Sequence, residues 1–300
     1  MKKKVLIIGG AGFIGHHLAH YLTLKNFNVG VLDNLSSGNK KNLSKKNTFY
    51  YEDILEKNVL NQIIKKYDSI FHLAAKIELQ ESIINPTKTF ENNIIGTSKV
   101  VEACVKFKKK LLFASSCAVY PLNGNYKFKE EHVTISGSPY SISKKAGEDI
   151  INFYLKKKKL NAVILRCFNV YGLKQNFNSQ YAAVIPKFIE SAKKNMFLKL
   201  NHGGNQSRDF VHIEDVCKAY LMLNSHDRIG TYNIGSGAAT KIKDLAQMVI
   251  KIIGKGKTVK GKKLEDDANF SCADITKIKK IGFGDTIKIK DGLKKIILEI

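Results

Sequence analysis

The sequence predicts an α/β fold, a doubly wound parallel sheet with a smaller C-terminal lobe. Three observations carry this. Val5-Leu6-Ile7-Ile8 holds no polar residue, as suits a strand covered on both faces of a parallel sheet. Strand-like apolar runs alternate with helical periods up to about residue 172, the rhythm of a parallel sheet with crossover helices. The residues able to do chemistry fall at the carboxyl ends of those runs, where open α/β sheets bind ligands.

A strand over 3–8 opens the chain. Gly9, Gly12 and Gly15 follow before a helical period through Leu18, Tyr21 and Leu22. Glycines at a strand-to-helix turn let the backbone close on a pyrophosphate, which the helix N-terminus attracts. The spacing is Gly-x-x-Gly-x-x-Gly rather than Gly-x-Gly-x-x-Gly. A second strand over 28–32 ends in Asp33. An acid about twenty positions past the glycines accepts from the adenosine ribose and repels a 2′-phosphate, so NAD is expected over NADP. A third strand covers 48–51, with Asp53 and Ile54 placed for an adenine. A fourth covers 69–73 and leads to Ala74 and Ala75, small enough for close passage of a cofactor. One long helix is expected over 87–107, carrying Asn92 and Asn93. The fifth strand, 110–114, delivers Ser115 and Ser116, and the sixth, 162–165, leads into Arg166 through Gly172.

Between the fifth and sixth strands lies Gly137-Ser138-Pro139-Tyr140-Ser141-Ile142-Ser143-Lys144. Ser138 can cap a helix, and Pro139 suits its first turn. Tyr140 and Lys144 then share one face. A phenol loses its proton near pH 10, but a fixed ammonium nearby favours the phenolate. The pair can therefore act as base and acid on a substrate hydroxyl.

Beyond Gly172 the alternation breaks. A helix is expected over 181–194 with Pro186 near its start or kinking it, then a strand over 197–200, a loop over 202–207 and a strand over 231–234. A glycine–lysine loop over 254–263 and a last helix from about 290 complete the chain. The expected division is a dinucleotide domain over 1–172, with 208–224 returning to it, and a substrate lobe over 173–300.

Composition excludes other classes. Hydrophobic residues make up 44% of the chain, enough for a globular core, yet no apolar run approaches the ~20 residues of a membrane helix. Lys2-Lys3-Lys4 before an apolar run superficially resembles a leader, but glycines interrupt it at once, so it reads as a first strand. Five scattered cysteines lack metal-ligand spacing; no metal site is expected, and a reducing, cytoplasmic setting is. The net charge of +24 raises the question of nucleic acid, but only Arg166, Arg208 and Arg228 are arginine. Base and phosphate readers rely on arginine forks. The lysines read as spread along the chain in no single stripe, so no specific nucleic-acid partner and no membrane are expected.

Taken together, the glycine loop, His72-Leu73-Ala74-Ala75, Ser115-Ser116, the Tyr140/Lys144 pair, Phe168-Asn169 and Arg208-Asp209-Phe210-Val211-His212 resemble the extended short-chain dehydrogenase/reductase superfamily, in its NAD-dependent epimerase/dehydratase branch. The resemblance covers nearly the whole chain and implies a Rossmann-like domain holding NAD. It implies Tyr140 as base, Lys144 as its partner and ribose contact, and Ser116 as hydroxyl relay. Cofactor contacts are implied at Gly9, Gly12, Phe13, Ile14, Gly15, Asp33, Asn34, Asp53, Ile54, Leu73, Ala74, Ala75, Asn93, Ser115, Phe168 and Val170. Substrate contacts are implied at Asn169, Ala183, Val184, Ile185 and Arg208, with Arg208 gripping the nucleotide diphosphate.

Within that branch, 4,6-dehydratases carry Asp-Glu directly after the relay serine, and uronate decarboxylases a Glu at the second of those positions; here they are Cys117 and Ala118. The 3,5-epimerases want a cysteine at the Ala118 position. C4 epimerisation of a UDP-sugar through a transient 4-keto sugar is expected, with a UDP-uronate 4-epimerase, decarboxylase or reductase as alternatives. Tyr181 to Pro186 and Asp267 to Asp274 are similar to the family's substrate-pocket and gate segments. Ser271 stands where hexose-only relatives carry a bulky Tyr, so UDP-GlcNAc and UDP-GalNAc are expected substrates besides or instead of UDP-glucose and UDP-galactose. The family's second diphosphate arginine should fall near Leu264, where only Lys262 and Lys263 are available. A homodimer through the helices over 87–108 and 139–157 is also implied.

Overall fold

The computed structural model describes residues 2–121, 124–175, 183–225, 228–262 and 268–300. In chain order, β1 (Lys4–Ile8), α1 (Phe13–Leu24), β2 (Asn28–Leu32) and β3 (Thr48–Tyr50) are followed by α2 (Lys57–Ile64), β4 (Ser69–His72), α3 (Leu79–Ile84), α4 (Pro86–Phe90) and α5 (Gly96–Lys106). Then come β5 (Lys110–Ser116), α6 (Pro139–Lys156), β6 (Asn161–Cys167), β7 (Asn169–Tyr171), α7 (Val184–Lys193), β8 (Phe197–Leu200), β9 (Ser207–His212) and α8 (Ile213–Ser225). The chain finishes with β10 (Gly230–Ile234), β11 (Ala239–Lys241), α9 (Ile242–Ile253), β12 (Lys257–Lys260), β13 (Phe270–Ser271), α10 (Thr276–Lys279) and α11 (Ile289–Glu299).

The chain divides into two compact units. The first comprises Met1–Val119, Ser138–Arg166 and Cys217–Tyr232. Its sheet has the order β10-β6-β5-β4-β1-β2-β3, with β1, β2, β3, β4 and β5 paired in parallel. Val5 through Ile8 are fully buried, each such side chain contributing about 1.5–3 kcal/mol over an exposed one. Strand order reverses at β1, between β2 and β4, and that reversal opens the crevice where doubly wound sheets bind ligands.

The second unit comprises Tyr120–Gly137, Cys167–Val216 and Asn233–Ile300. Three strands meet on β9: antiparallel β11, and parallel β13 and β7. A core of Ile185, Phe188, Ile189, Leu198, Leu245 and Val249 joins α7 to α9. The amphipathic α9, absent from the sequence reading, ends at Gly254 in the left-handed conformation, φ 78°.

Two expectations are corrected. The single helix over 87–107 is interrupted: a π-helical segment, Glu91–Ile95, lies between α4 and α5. One residue too many per turn lets Asn92 and Asn93 leave the ordinary helical register, and such insertions cluster at functional sites. The glycine–lysine loop contains strand β12, which pairs in parallel with β8; its alternating lysines hid a short edge strand. The residues of the expected helix over 181–194 that are described give α7, with Pro186 in its first turn, where no amide partner is lost.

Candidate active site

In the first unit, the loop after β1 is shaped by what its glycines exclude. Gly9 has φ 81°, and a Cβ there would come within 2.5 Å of the Ala74 nitrogen; one at Gly15 would come within 2.3 Å of the Gly9 carbonyl oxygen. At Gly12 the nearest atom would be 3.4 Å away, which leaves the N-terminus of α1 open to a ligand. Ala11 N–H donates to Asp33 Oδ2 (2.9 Å) and Leu35 N–H to Asp33 Oδ1 (2.8 Å). These bonds fix the buried carboxylate at the tip of β2, with lone pairs left for further donors. This glycine cradle, an open helix N-terminus and an acid at the second strand's end fit an adenine dinucleotide. Asp53 accepts from Asn34 Nδ2 and Leu55 N–H, while Ile54 is turned into the core beneath Gly96.

The Tyr140 helix is built as its sequence indicates. Ser138 caps α6 in a reciprocal capping box with Ser141, and Pro139 opens it. The helix packs on the end of β5 and on the turn 117–119 that follows. Lys144, buried to 4% exposure, donates from Nζ to the Ala114 carbonyl (2.8 Å) and lies 5.1 Å from the Phe113 ring centroid and 6.0 Å from that of Tyr140. Beyond it on the same face, Glu148 accepts from Ser115 Oγ (2.5 Å) and makes a bidentate, buried pair with Arg166 (2.9 and 2.7 Å). The tail of β5 is thus fastened to α6 at Ala114 and Ser115, and Ser116 is the next residue out. Ser116 Oγ accepts from Ala118 N–H (3.1 Å), which starts the turn.

Two further buried polar residues of the first unit, Asn93 and His72, lie near this arrangement. Asn93, in the π segment, donates to the Lys76 carbonyl (2.9 Å) and to Ser143 Oγ (3.0 Å), and accepts from Lys76 N–H (2.8 Å). It was expected here, but the π turn that aims it was not. His72, fully buried, shares a hydrogen with Thr97 Oγ1 (2.9 Å) and lies beside Phe113. Burial and, secondarily, the Lys144 charge push its pKa down to about 3, so the ring is neutral.

In the second unit a cavity of about 280 Å³ is lined by Asn169, Val170, Ala183, Val184, Ile185 and Arg208. Six predicted residues, spread over forty positions, meet there. Lys199, Asn201, Gln206, Phe210 and Ile242 also line it and were not predicted; Gln206 and Arg208 lie two apart, a strand period that could have signalled a shared face. Asn169 donates to the Asp209 carbonyl (3.1 Å), and Arg208 Nη1 to the Ser207 carbonyl (2.8 Å). Phe168 is buried, its N–H bonded to Ile234.

Ser271 is buried and stands beside Arg208 in the β13–β9 pairing. Asp209 holds this corner: its carboxylate accepts from Ser236 N–H and Oγ, Gly237 N–H and Ala273 N–H. Burial pushes its pKa above the usual carboxylate range, and those donors pull it back. Tyr181, Lys263, Leu264 and Asp267 lie outside the described residues; the second cation beside Arg208 in the cavity is Lys199. Among the described residues no cluster has metal-ligand composition, and no helix is long and apolar enough to cross a membrane.

A family profile described as the NAD dependent epimerase/dehydratase family matches residues 5–235. The chain is 36% identical to a putative UDP-glucose 4-epimerase of Methanocaldococcus jannaschii over 298 residues, 98% of this chain and 97% of that one. Among solved structures it is similar to the UDP-N-acetylglucosamine 4-epimerase of Methanobrevibacter ruminantium in complex with UDP-N-acetylmuramic acid, with TM-score 0.94, 34% identity and coverage of 99% and 98%. It is also similar to the UDP-glucose 4-epimerase of Thermotoga maritima with UDP-glucose, with TM-score 0.93, 30% identity and coverage of 98% and 97%.

Proposed function

The chain belongs to the NAD dependent epimerase/dehydratase family, and on that premise we propose that it interconverts the C4 epimers of a UDP-sugar. Similarity to UDP-sugar 4-epimerases along nearly the full chain supports this. One observation in particular carries it: Tyr140 and Lys144 share one face of α6, Lys144 is held by the Ala114 carbonyl two residues before Ser116, and the residues after Ser116, Cys117 and Ala118, offer no second acid or base for elimination or decarboxylation.

The first unit holds the dinucleotide at Gly9, Gly12, Gly15, Asp33 and Ala74. When bound, NAD supplies the two-electron acceptor and donor for C4. Tyr140, as phenolate, takes the 4-hydroxyl proton directly or through Ser116 and later returns it. Lys144, fixed by the Ala114 carbonyl and by aromatic faces, keeps a positive charge beside that phenol. Ser116 hydrogen-bonds the reacting hydroxyl, and Asn93 secures the start of α6 through Ser143. In the second unit Arg208 grips the diphosphate as a planar fork, Lys199 adds a point charge, and Asn169 and Val184 wall the pocket. The transient 4-keto sugar turns over while its nucleotide stays anchored.

The buried, small Ser271 leaves room for a 2-acetamido group, so UDP-GlcNAc and UDP-GalNAc are accepted. The enzyme works as a homodimer through α5 and α6, whose region exposes Ile95, Ile142 and Phe153; light scattering giving a monomer mass at moderate salt would refute that part.

The test is incubation with UDP-glucose, UDP-galactose, UDP-GlcNAc, UDP-GalNAc and UDP-glucuronate without added NAD, followed by NMR. Epimers of at least one neutral sugar are expected. Loss of carbon dioxide from the uronate with no epimer would replace this reading by decarboxylation. Denaturing fresh protein should release NAD; NADP as the main nucleotide would sink the role of Asp33.

A further inference from the structure

The lysines that read as scattered along the sequence are gathered by the first unit's fold. In a parallel sheet every turn entering a strand lies on one edge, opposite the strand tips that carry Gly9, Asp33, Ala74 and Ser116. β6 shares this direction, since Ser115 at the end of β5 and Arg166 at the end of β6 both bond Glu148. The turns entering β1 through β6 hold lysine at 2–4, 25, 45–46, 65–66, 106, 108–110 and 156–159. Those sixteen lysines face one carboxylate, Asp68, whose side chain accepts from the Lys4 backbone N–H. All but Lys109 and Lys110 are exposed. Well over half of the chain's +24 therefore sits on this edge.

Helix-end electrostatics does not account for it. A cation in a helix's last turn gains about 0.3–1 kcal/mol, but only α1, α2, α5 and α6 end here, and the lysines at 2–4 and 45–46 follow no α-helix. Lys108 and Lys158 even occupy left-handed backbone, φ 52° and 53°, where any side chain costs about 1–2 kcal/mol relative to glycine. Three of the unit's other carboxylates are paired with cations away from these turns: Glu102 with Lys57, Glu148 with Arg166 and Asp149 with Lys145.

We infer that this edge is a docking face for an anionic phospholipid surface. The face presents point charges with no arginine fork among them, which suits diffuse headgroup charge better than base or phosphate readout. The aromatic residues of these turns are buried (Tyr67) or half-buried (Phe27 and Phe107, the latter packed on the core under Lys106), not the exposed stacking platforms that single-stranded nucleic acid uses. At its margin Leu24, 70% exposed beside Lys25, supplies an apolar side chain for the headgroup layer. Docking by this edge turns the strand tips that carry the first unit's chemistry away from the lipid.

The experiment is sedimentation of the full chain with phosphatidylglycerol/phosphatidylcholine vesicles and with phosphatidylcholine alone at ~0.1 M salt. Binding to the first and not the second is expected, with release at ~0.5 M salt as charges are screened. Replacing Lys156, Lys157 and Lys159 by Gln, with left-handed Lys158 kept, should weaken binding at least about tenfold, since each lysine near such a surface contributes about 1 kcal/mol. Turnover on UDP-sugar should be unchanged. Lys45→Gln with Lys46→Gln and Lys65→Gln, on other turns, should act alike. An equal charge loss at Lys193, Lys255 and Lys280, in the second unit, should have little effect. No binding to phosphatidylglycerol vesicles, an equal loss in that control, or single-stranded RNA that outcompetes the vesicles would each overturn the assignment.

Discussion

The two units hold their functional residues in opposite ways. In the first, the groups lie in short runs: Gly9 to Gly15, Ser115-Ser116, and Tyr140 to Glu148, each placed by one turn or one helix. In the second, Asn169, Ala183 and Arg208 line one cavity although they lie far apart in sequence, Ser271 is set beside Arg208 only by the pairing of β13 with β9, and Asp209 ties that strand to two loops. On the proposed function, chemistry is written locally and recognition is assembled by long-range pairing. Substitutions in the first unit should therefore strike kcat, and those in the second KM or the choice of sugar.

The largest effect should come from Tyr140→Phe, which keeps the ring and removes the proton acceptor: a loss of about 10²–10⁴ in kcat, with bound NAD retained. Lys144→Ala should cost as much and also loosen the dinucleotide, read from the nucleotide released on denaturation. Near-full activity of Tyr140→Phe would break the division at its strongest point.

Arg208→Ala should raise KM about 10–100-fold with kcat little changed, since a charge-assisted hydrogen bond contributes about 1.5–3 kcal/mol. Arg208→Lys should recover part of it, as a point charge without a fork. Steady-state kinetics decides; a fall in kcat with unchanged KM would mean that the second unit takes part in the chemistry.

Ser271→Tyr sharpens the contrast. A tyrosine in that buried position should suppress turnover of N-acetylhexosamine substrates while sparing UDP-galactose. Wild-type protein inert on both N-acetyl sugars yet active on UDP-galactose would remove the gate from Ser271.

The smallest effect concerns stability. His72 stays neutral in the fold down to about pH 3, whereas an unfolded imidazole protonates near 6.5. Over that window the unfolded state binds the extra proton, so stability falls as pH drops, by up to about 1.4 kcal/mol per unit. Urea midpoints at pH 7, 6 and 5 should fall less steeply in His72→Asn than in wild type. Identical slopes would mean the ring titrates normally.

This division explains what the sequence made legible. The cap at Ser138, the Tyr140/Lys144 face, the glycine turn and Asp33 follow from local spacing, and the structure places them as the spacing requires; the reciprocal partner Ser141 of that cap was not foreseen. The π segment around Asn93 was not legible, because nothing local distinguishes Glu91–Ile95 from a plain helix; its packing against Lys76 and Ser143 does. Lys199 and Gln206 were missed because the cavity they line exists only after β8 and β9 have found partners far along the chain. The basic edge was missed for the same reason: its lysines are neighbours across turns, not along the sequence.

The most direct test of C4 epimerisation uses UDP-galactose deuterated at C4, with the purified protein and no added dinucleotide. UDP-glucose should form with deuterium still at C4, because the atom leaves and returns within one closed site. Protium at C4, or product only when NAD is replenished, would contradict it.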